Sequence, residues 1–209
     1  MSSLHLLLSD GRFPGGGYAH SGGLEAAVAE GAVHDATTLR AFAVGKLTTN
    51  ALVDAWFAAA ACRGDDLAWL HAEYEARTIA PSLRSASRQL ARGLRRVAAP
   101  LWPLPPSGPD EHHPVLLGAV ARAAELSSLQ AAQLAVHGVL MGVLTAAPKL
   151  FAIDMTDAVA IAAGLAELAD GVALEAADLS AAEPPAVGAP LQDLRADRHA
   201  SWEVRLFAS

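Results

Sequence analysis

The chain has 209 residues, of which 53% are hydrophobic and 18% charged, a composition that excludes a disordered protein. Its formal charge of −7 excludes nucleic acid as the main partner, because a protein that neutralises phosphates needs a concentrated basic face. The hydrophobic share is rich in alanine and leucine and only 5% of the chain is aromatic, which favours helices packed on helices. We therefore expect an all-α fold, organised as one bundle-like helical domain over residues 1–209.

In the first half of the chain, capping residues and glycine or proline breaks mark the helices. Ser21 is a candidate N-cap, Asp35 can cap a long helix, and Pro81 suits the first position of another. The predicted elements are an irregular glycine-rich segment over 1–21 and helices from Gly22 to Gly31, from Asp35 to about Cys62, through Leu67, Leu70 and Tyr74, and from Pro81 onward.

The second half opens with a proline-rich loop over 100–114, in which we expect His112 and His113 to be solvated. The apolar stretch Leu134–Ala147 ends at Pro148 and is shorter than the roughly 20 residues that a bilayer requires. The predicted elements are helices near 115–126, 128–147 and 156–179, a linker over 182–190, a short segment from Leu191, and a tail over 200–209. The hairpin 115–147 is expected to be a central core pair or a dimer face.

Cysteine content and the N-terminus indicate the cellular compartment. Cys62 is the single cysteine, so no disulfide framework can form within one chain, and a reducing compartment fits. The segment from Met1 to His5 lacks the basic and apolar regions of a signal peptide. We therefore expect a cytoplasmic protein with a buried, inert thiol.

The glycine-rich segment Gly15–Gly23 matches no phosphate-binding or nucleophile pattern. Gly45-Lys46 is followed by Leu47 where a Walker A loop needs serine or threonine. A dinucleotide fingerprint needs glycine at His20, and a nucleophile elbow needs glycine at Ala19. Binding of an anion or small ligand by this loop stays open as the alternative function.

Metal and acid–base sites are also not indicated. None of the eight histidines forms a pair at helical spacing with a third ligand in sight, and His137 on its apolar helix is expected in the core. Acidic pairs such as Asp65-Asp66 and the arginine stripe that starts at Arg84 are typical of solvated helix faces, although the stripe can also serve for docking. We expect no catalytic residue, no metal site and no cofactor.

Three segments carry a family signature. Leu8 to Glu25 fits the pattern Leu-x-Asp-x-x-Phe-Pro-x-Gly-Gly/Ser-Phe/Tyr-x-His-Ser-x-Gly-Leu-Glu, Leu83 to Leu90 fits Leu-Arg-x-x-Ser-x-Gln-x, and His199 to Ser209 fits His…Arg-Leu-Phe/Tyr-x-Ser. In these features the chain resembles the urease accessory protein UreF family over its whole length. It departs at Ala91, where the family has glycine, and near Pro148, where Thr145 takes the place of a basic residue and Lys149 follows.

The resemblance implies an all-α, dimeric, non-catalytic protein. Such a protein binds a UreD/UreH-type scaffold, helps to recruit the nickel-carrying UreG-type GTPase and modulates its GTPase activity, and the assembly delivers nickel to apo-urease. The alternative interpretation is a generic helical dimer with a structural role.

We expect the partner-binding residues at the two ends of the chain and on the arginine helix. Each has a structural alternative. Tyr18 is either an interface anchor or a core aromatic residue, and His20 and Ser21 either contact a partner or stabilise their own turn. The tail either folds on contact with the scaffold or packs on the body of the protein. For Arg84 and Ser87 the alternative is capping or a core salt bridge. The predicted partner-binding residues are Tyr18, His20, Ser21, Arg84, Ser87, Arg205, Leu206 and Phe207.

Overall fold

The computed structural model describes residues 3–11, 13, 20–179 and 184–207. In this part of the chain 71% of the residues are helical and none forms a strand, so the predicted all-α class is confirmed. The helices are α1 (Ser3–Ser9), α2 (Leu24–Ala29), α3 (Ala36–Lys46), a π-helical turn (Leu47–Ala51), α4 (Leu52–Arg63), α5 (Leu67–Arg77), α6 (Pro81–Ala98), α7 (His113–Ala123), α8 (Ser128–Leu150), α9 (Met155–Gly164), α10 (Ala166–Asp178) and α11 (Pro190–Ala200).

The core is built around α4. Trp56 and Phe57 are fully buried and meet edge to face at 4.9 Å between ring centroids, and the alanine run that follows lets neighbouring helices approach closely. α7, α8 and α10 pack against α4. At the α4–α7 crossing, a Cβ on Gly118 would lie 2.7 Å from Ala61 Cβ and closer still to the Ala58 carbonyl. The 115–147 hairpin is thus part of the core, which is one of the two roles predicted for it.

The long helix predicted from Asp35 forms, with a π-helical turn inside it. Asp35 Oδ1 accepts a 2.8 Å hydrogen bond from Thr38 N, and the Thr38 hydroxyl completes a reciprocal capping box. Between Leu47 and Ala51 the backbone widens into the π turn, and Thr49 Oγ1 donates to the Gly45 carbonyl at 2.7 Å. π turns inside α-helices are frequent at functional sites.

Three predicted element boundaries are wrong. Residues 3–9 are helical and not irregular, because Leu8 packs against the core and gives α1 a buried side. The helix predicted over 156–179 breaks at Leu165, whose backbone (φ −109°, ψ 1°) is not helical. Pro148 does not stop α8, which runs to Leu150, because in the last turn proline costs only one internal hydrogen bond.

Helix α8 is 23 residues long, which corrects the prediction that this stretch is too short for a bilayer. Among the described residues it is the one helix with the length and composition of a membrane span. Half of its most apolar window is buried inside the protein. The core helix of a globular bundle meets the same criteria, and α8 packs on α4 and α7.

Three histidine predictions are wrong, in opposite directions. His113, predicted to be solvated, is partly buried, and burial lowers its pKa to about 4. His112 is fully buried: its Nε2 lies 2.7 Å from Glu75 Oε2, and its backbone N–H donates to His71 Nδ1 at 3.0 Å. Together with the paired Arg95 and Glu111 side chains, these contacts tie the end of the proline-rich loop to α5 and α6. His137, expected in the core, is exposed on α8 and hydrogen-bonds the Ser9 backbone.

Candidate partner-binding site

The two ends of the chain meet at one carboxylate, that of Glu25 in the first turn of α2. Glu25 Oε1 accepts a 2.8 Å hydrogen bond from the backbone N–H of Leu206. Its Oε2 accepts from the backbone N–H of Phe207 at 3.0 Å and lies 2.8 Å from His199 Nε2. Glu25 is only 8% exposed, so its buried carboxylate accepts hydrogen bonds from three donors on α11 and the tail.

Local sequence explains why Glu25 sits there. Gly22 and Gly23 have φ of 63° and 86°, a left-handed conformation that side chains avoid, and so they turn the chain sharply into α2. The buried Ser21 hydroxyl accepts the Glu25 backbone N–H at 3.3 Å. Ser21 therefore caps the first turn, although the N-cap position itself falls on Gly23. A carboxylate in this first turn is also favoured by the helix dipole.

Helix α11 is held in position so that the tail reaches Glu25. Arg195 Nε on α11 pairs with Glu30 Oε2 beside α2 at 2.8 Å. On the other side, the Ser82 hydroxyl of α6 donates to Asp197 Oδ1 at 2.6 Å. The tail therefore leaves α11 from a fixed end.

One side chain of the tail is buried, whereas two others are exposed to solvent. Phe207 is 5% exposed, and Lys149 Nζ lies 5.6 Å from its ring centroid, a cation–π arrangement. Val204 and Leu206 are 86% and 71% exposed. The tail thus presents apolar side chains on an anchored backbone, which suits a protein partner.

The charge of Glu25 fits this role. Burial raises the pKa of its carboxyl, but the hydrogen bonds from Leu206, His199 and Phe207 lower it more, so the net pKa lies below the ordinary value. The carboxylate is therefore the form that holds the tail.

The other predicted site residues are distributed over two regions. At the chain ends, Tyr18 lies outside the described residues, as do most of those in the alternative Gly15–Gly23 anion loop. His20 is partly buried, and desolvation lowers its pKa. Arg205 Nη1 donates to the Ala200 carbonyl at 3.4 Å, which closes the turn between α11 and the tail.

Arg84 and Ser87 lie apart from the tail and make contacts within the chain. Arg84 Nη1 donates to the Thr78 and Ile79 carbonyls at 2.8 and 2.9 Å, which fixes the turn between α5 and α6. The buried Ser87 hydroxyl accepts the His113 backbone N–H at 3.1 Å at the start of α7.

Sequence reasoning missed Glu25 and His199 as site residues. Both belong to the signature segments, Glu25 to the first and His199 to the last. The missing information was their pairing across 174 residues, which the sequence does not contain. Within the described ranges, no group of three or more histidine, cysteine or acidic side chains is placed to hold a metal ion.

The fold and the site define an all-α protein in which a buried carboxylate on α2 holds the C-terminal tail. Comparison with known proteins makes the assignment specific. The UreF family profile matches residues 33–166. A urease accessory protein UreF of Mycobacterium sp. (strain JLS) is 43% identical over 98% of this chain and 97% of its own. Those of Mycolicibacterium vanbaalenii and Mycobacterium tuberculosis (strain H37Rv) are 41% and 38% identical over the full length of both chains. The chain belongs to the UreF family.

Proposed function

We propose that this chain is a non-catalytic, cytoplasmic partner in nickel insertion into apo-urease. It bridges a UreD/UreH-type scaffold and a UreG-type GTPase, modulates the GTPase and works as a homodimer. The observation that carries the proposal is the full-length similarity to proteins named urease accessory protein UreF. Nickel is the cargo of the assembly and not a cofactor of this chain.

The anchored tail supports a scaffold-binding role. Val204 and Leu206 stand out from the body, while the backbone beneath them is held by a buried carboxylate. A preformed apolar surface loses less conformational entropy on binding than a disordered one. We place the scaffold on this surface, with Leu206, Phe207 and Arg205 from the tail.

The N-terminal residues complete the same surface in this proposal. Ser21 fixes the helix that carries Glu25, and Tyr18 and His20 precede it in the chain. Arg84 and Ser87 act indirectly, because their side chains position the turn before α6 and the start of α7.

A binding experiment with one exposed leucine tests the scaffold role. Leu206→Asp places a charge on the display surface without touching the buried Phe207 anchor. Leu101→Asp is the matched control, since Leu101 is 57% exposed on the proline-rich loop. We expect Leu206→Asp to lose co-purification with the UreD/UreH-type scaffold and urease activation, and Leu101→Asp to keep both. Full activation by Leu206→Asp at normal expression would contradict the assignment of this surface.

A further inference from the structure

A cavity of about 390 Å³ lies between the helix that carries Lys46, Asn50 and Asp54 and the helices α6, α7 and α8. Its volume falls within the range of small-molecule sites. Most of its wall is apolar and comes from α6, α7 and α8, including Leu83, Leu90, Leu117, Leu134 and Val139. Two of the predicted partner-binding residues, His20 and Ser87, also line this space.

One wall of the cavity carries three polar residues in a row. Lys46, Asn50 and Asp54 follow each other at intervals of four along the continuous helix formed by α3, the π turn and α4. Residues spaced by four share a helix face, and at about 1.5 Å rise per residue the row extends about 12 Å. Asp54 at the far end accepts a 3.0 Å hydrogen bond from the Tyr74 hydroxyl.

Lys46 lies at the near end of the row. The residue is only 8% exposed and lines the cavity, and among the described residues its ammonium group makes no direct hydrogen bond or ion pair. An anion bound in the cavity would give this ammonium group a direct partner. Asp54 on α4 and Asp193 on α11 attract the ammonium group, and the other titratable residues that line the cavity are Asp10, His20, Tyr74, His113 and His137.

We propose that this cavity binds a small organic carboxylate with an apolar body. The carboxylate accepts from the Lys46 ammonium and the Asn50 amide, and the body packs against the leucine-rich wall. A neutral ligand would leave the ammonium unpaired, and a dianion would be repelled by Asp54 and Asp193. None of the tail residues Arg205, Leu206 and Phe207 lines the cavity, and the proposal does not depend on the proposed role in urease maturation.

Binding of straight-chain carboxylates to the whole protein tests the site directly. Calorimetry with butanoate, hexanoate and octanoate is expected to detect binding that strengthens with chain length, whereas 1-octanol binds at least about tenfold more weakly than octanoate, as loss of one charge-assisted hydrogen bond implies. Lys46→Met is expected to weaken octanoate binding by a similar factor. Lys149→Met, which removes the only other lysine, should leave it unchanged. No binding to the wild type, or equal binding by Lys46→Met, overturns the proposal.

A second measurement needs no variant and so does not depend on how Lys46→Met folds. Burial lowers the pKa of Lys46 to about 8, against the attraction of Asp54 and Asp193. An anion seated on the ammonium stabilises its charged form and raises that pKa. With only two lysines, carbon NMR of the side-chain Cε atoms can follow each one through a pH titration. A Lys46 pKa that rises with octanoate supports the site, and a pKa that does not move overturns it.

Discussion

Replacing Glu25 with glutamine tests whether one carboxylate holds the tail. Glutamine keeps the shape of the side chain, but it replaces one acceptor oxygen with an NH₂ group that cannot accept the Leu206 or Phe207 N–H. The variant therefore loses at least one hydrogen bond to a charged acceptor and leaves a donor facing another donor. Such a change costs about 2 kcal/mol.

That energy predicts a measurable opening of the tail. About 2 kcal/mol corresponds to roughly 30-fold more frequent detachment. Hydrogen exchange at the Leu206 and Phe207 amides should speed up by this factor, because exchange reports local opening. Glu203→Gln is the control, since Glu203 is exposed in the same tail. Equal exchange in Glu25→Gln and the wild type would refute the reasoning.

The same contact gives the tail a pH dependence of known sign. The folded-state pKa of Glu25 is lowered, so its contribution is complete above the unfolded pKa and is lost as pH falls through the folded value. Protection of the two tail amides is therefore expected at neutral pH and is expected to disappear in acid before the core unfolds. In Glu25→Gln this acid step should be absent.

Three further predictions concern the body of the protein. Burial lowers the pKa of His113 to about 4, so unfolding free energy should fall by about 2–3 kcal/mol as pH drops from 6.5 to 4, and His113→Asn should flatten that slope in urea titrations. Gly118→Val should destabilise the protein by about 1–3 kcal/mol through overpacking against α4. Gly138→Ala, with open space at its Cβ, should raise stability by about 0.5–1 kcal/mol. Urea midpoints that rank the two variants the other way would contradict the described helix crossing. Arg95→Leu should release the proline-rich loop and speed its cleavage by a protease, while the exposed Arg92→Leu should not, and equal cleavage would show that the ion pair does not hold the loop.

Local patterns were sufficient for most of the helices. The Asp35 cap, the proline start at Pro81 and the breaks around Gly64 appear in the structure where the sequence predicts them, because capping and backbone conformation are local effects. Local patterns did not predict the features that depend on packing between helices. The π turn at 47–51 has no signature in its residues, and the break at Leu165 falls within an uninterrupted run of good helix formers.

The site was predictable only in part. The signature segments pointed to both ends of the chain, but the burial of His112 and the pairing of Glu25 with the tail depend on contacts between residues far apart in sequence. The arginine stripe illustrates the same limit: spacing predicts one face, yet Arg84 and Arg95 are held by neighbours that only the fold supplies.

The distance in sequence between Glu25 and Phe207, 182 residues, also sets an order of events during synthesis. Helix α2 leaves the ribosome early, and its buried carboxylate has no tail to bind until nearly the whole chain has followed. The display surface is therefore completed last, after the helices of the core have had time to pack. A chain that is cut short or stalled exposes an unpaired Glu25 in place of that surface. Only a chain synthesised as far as Phe207 can close this contact.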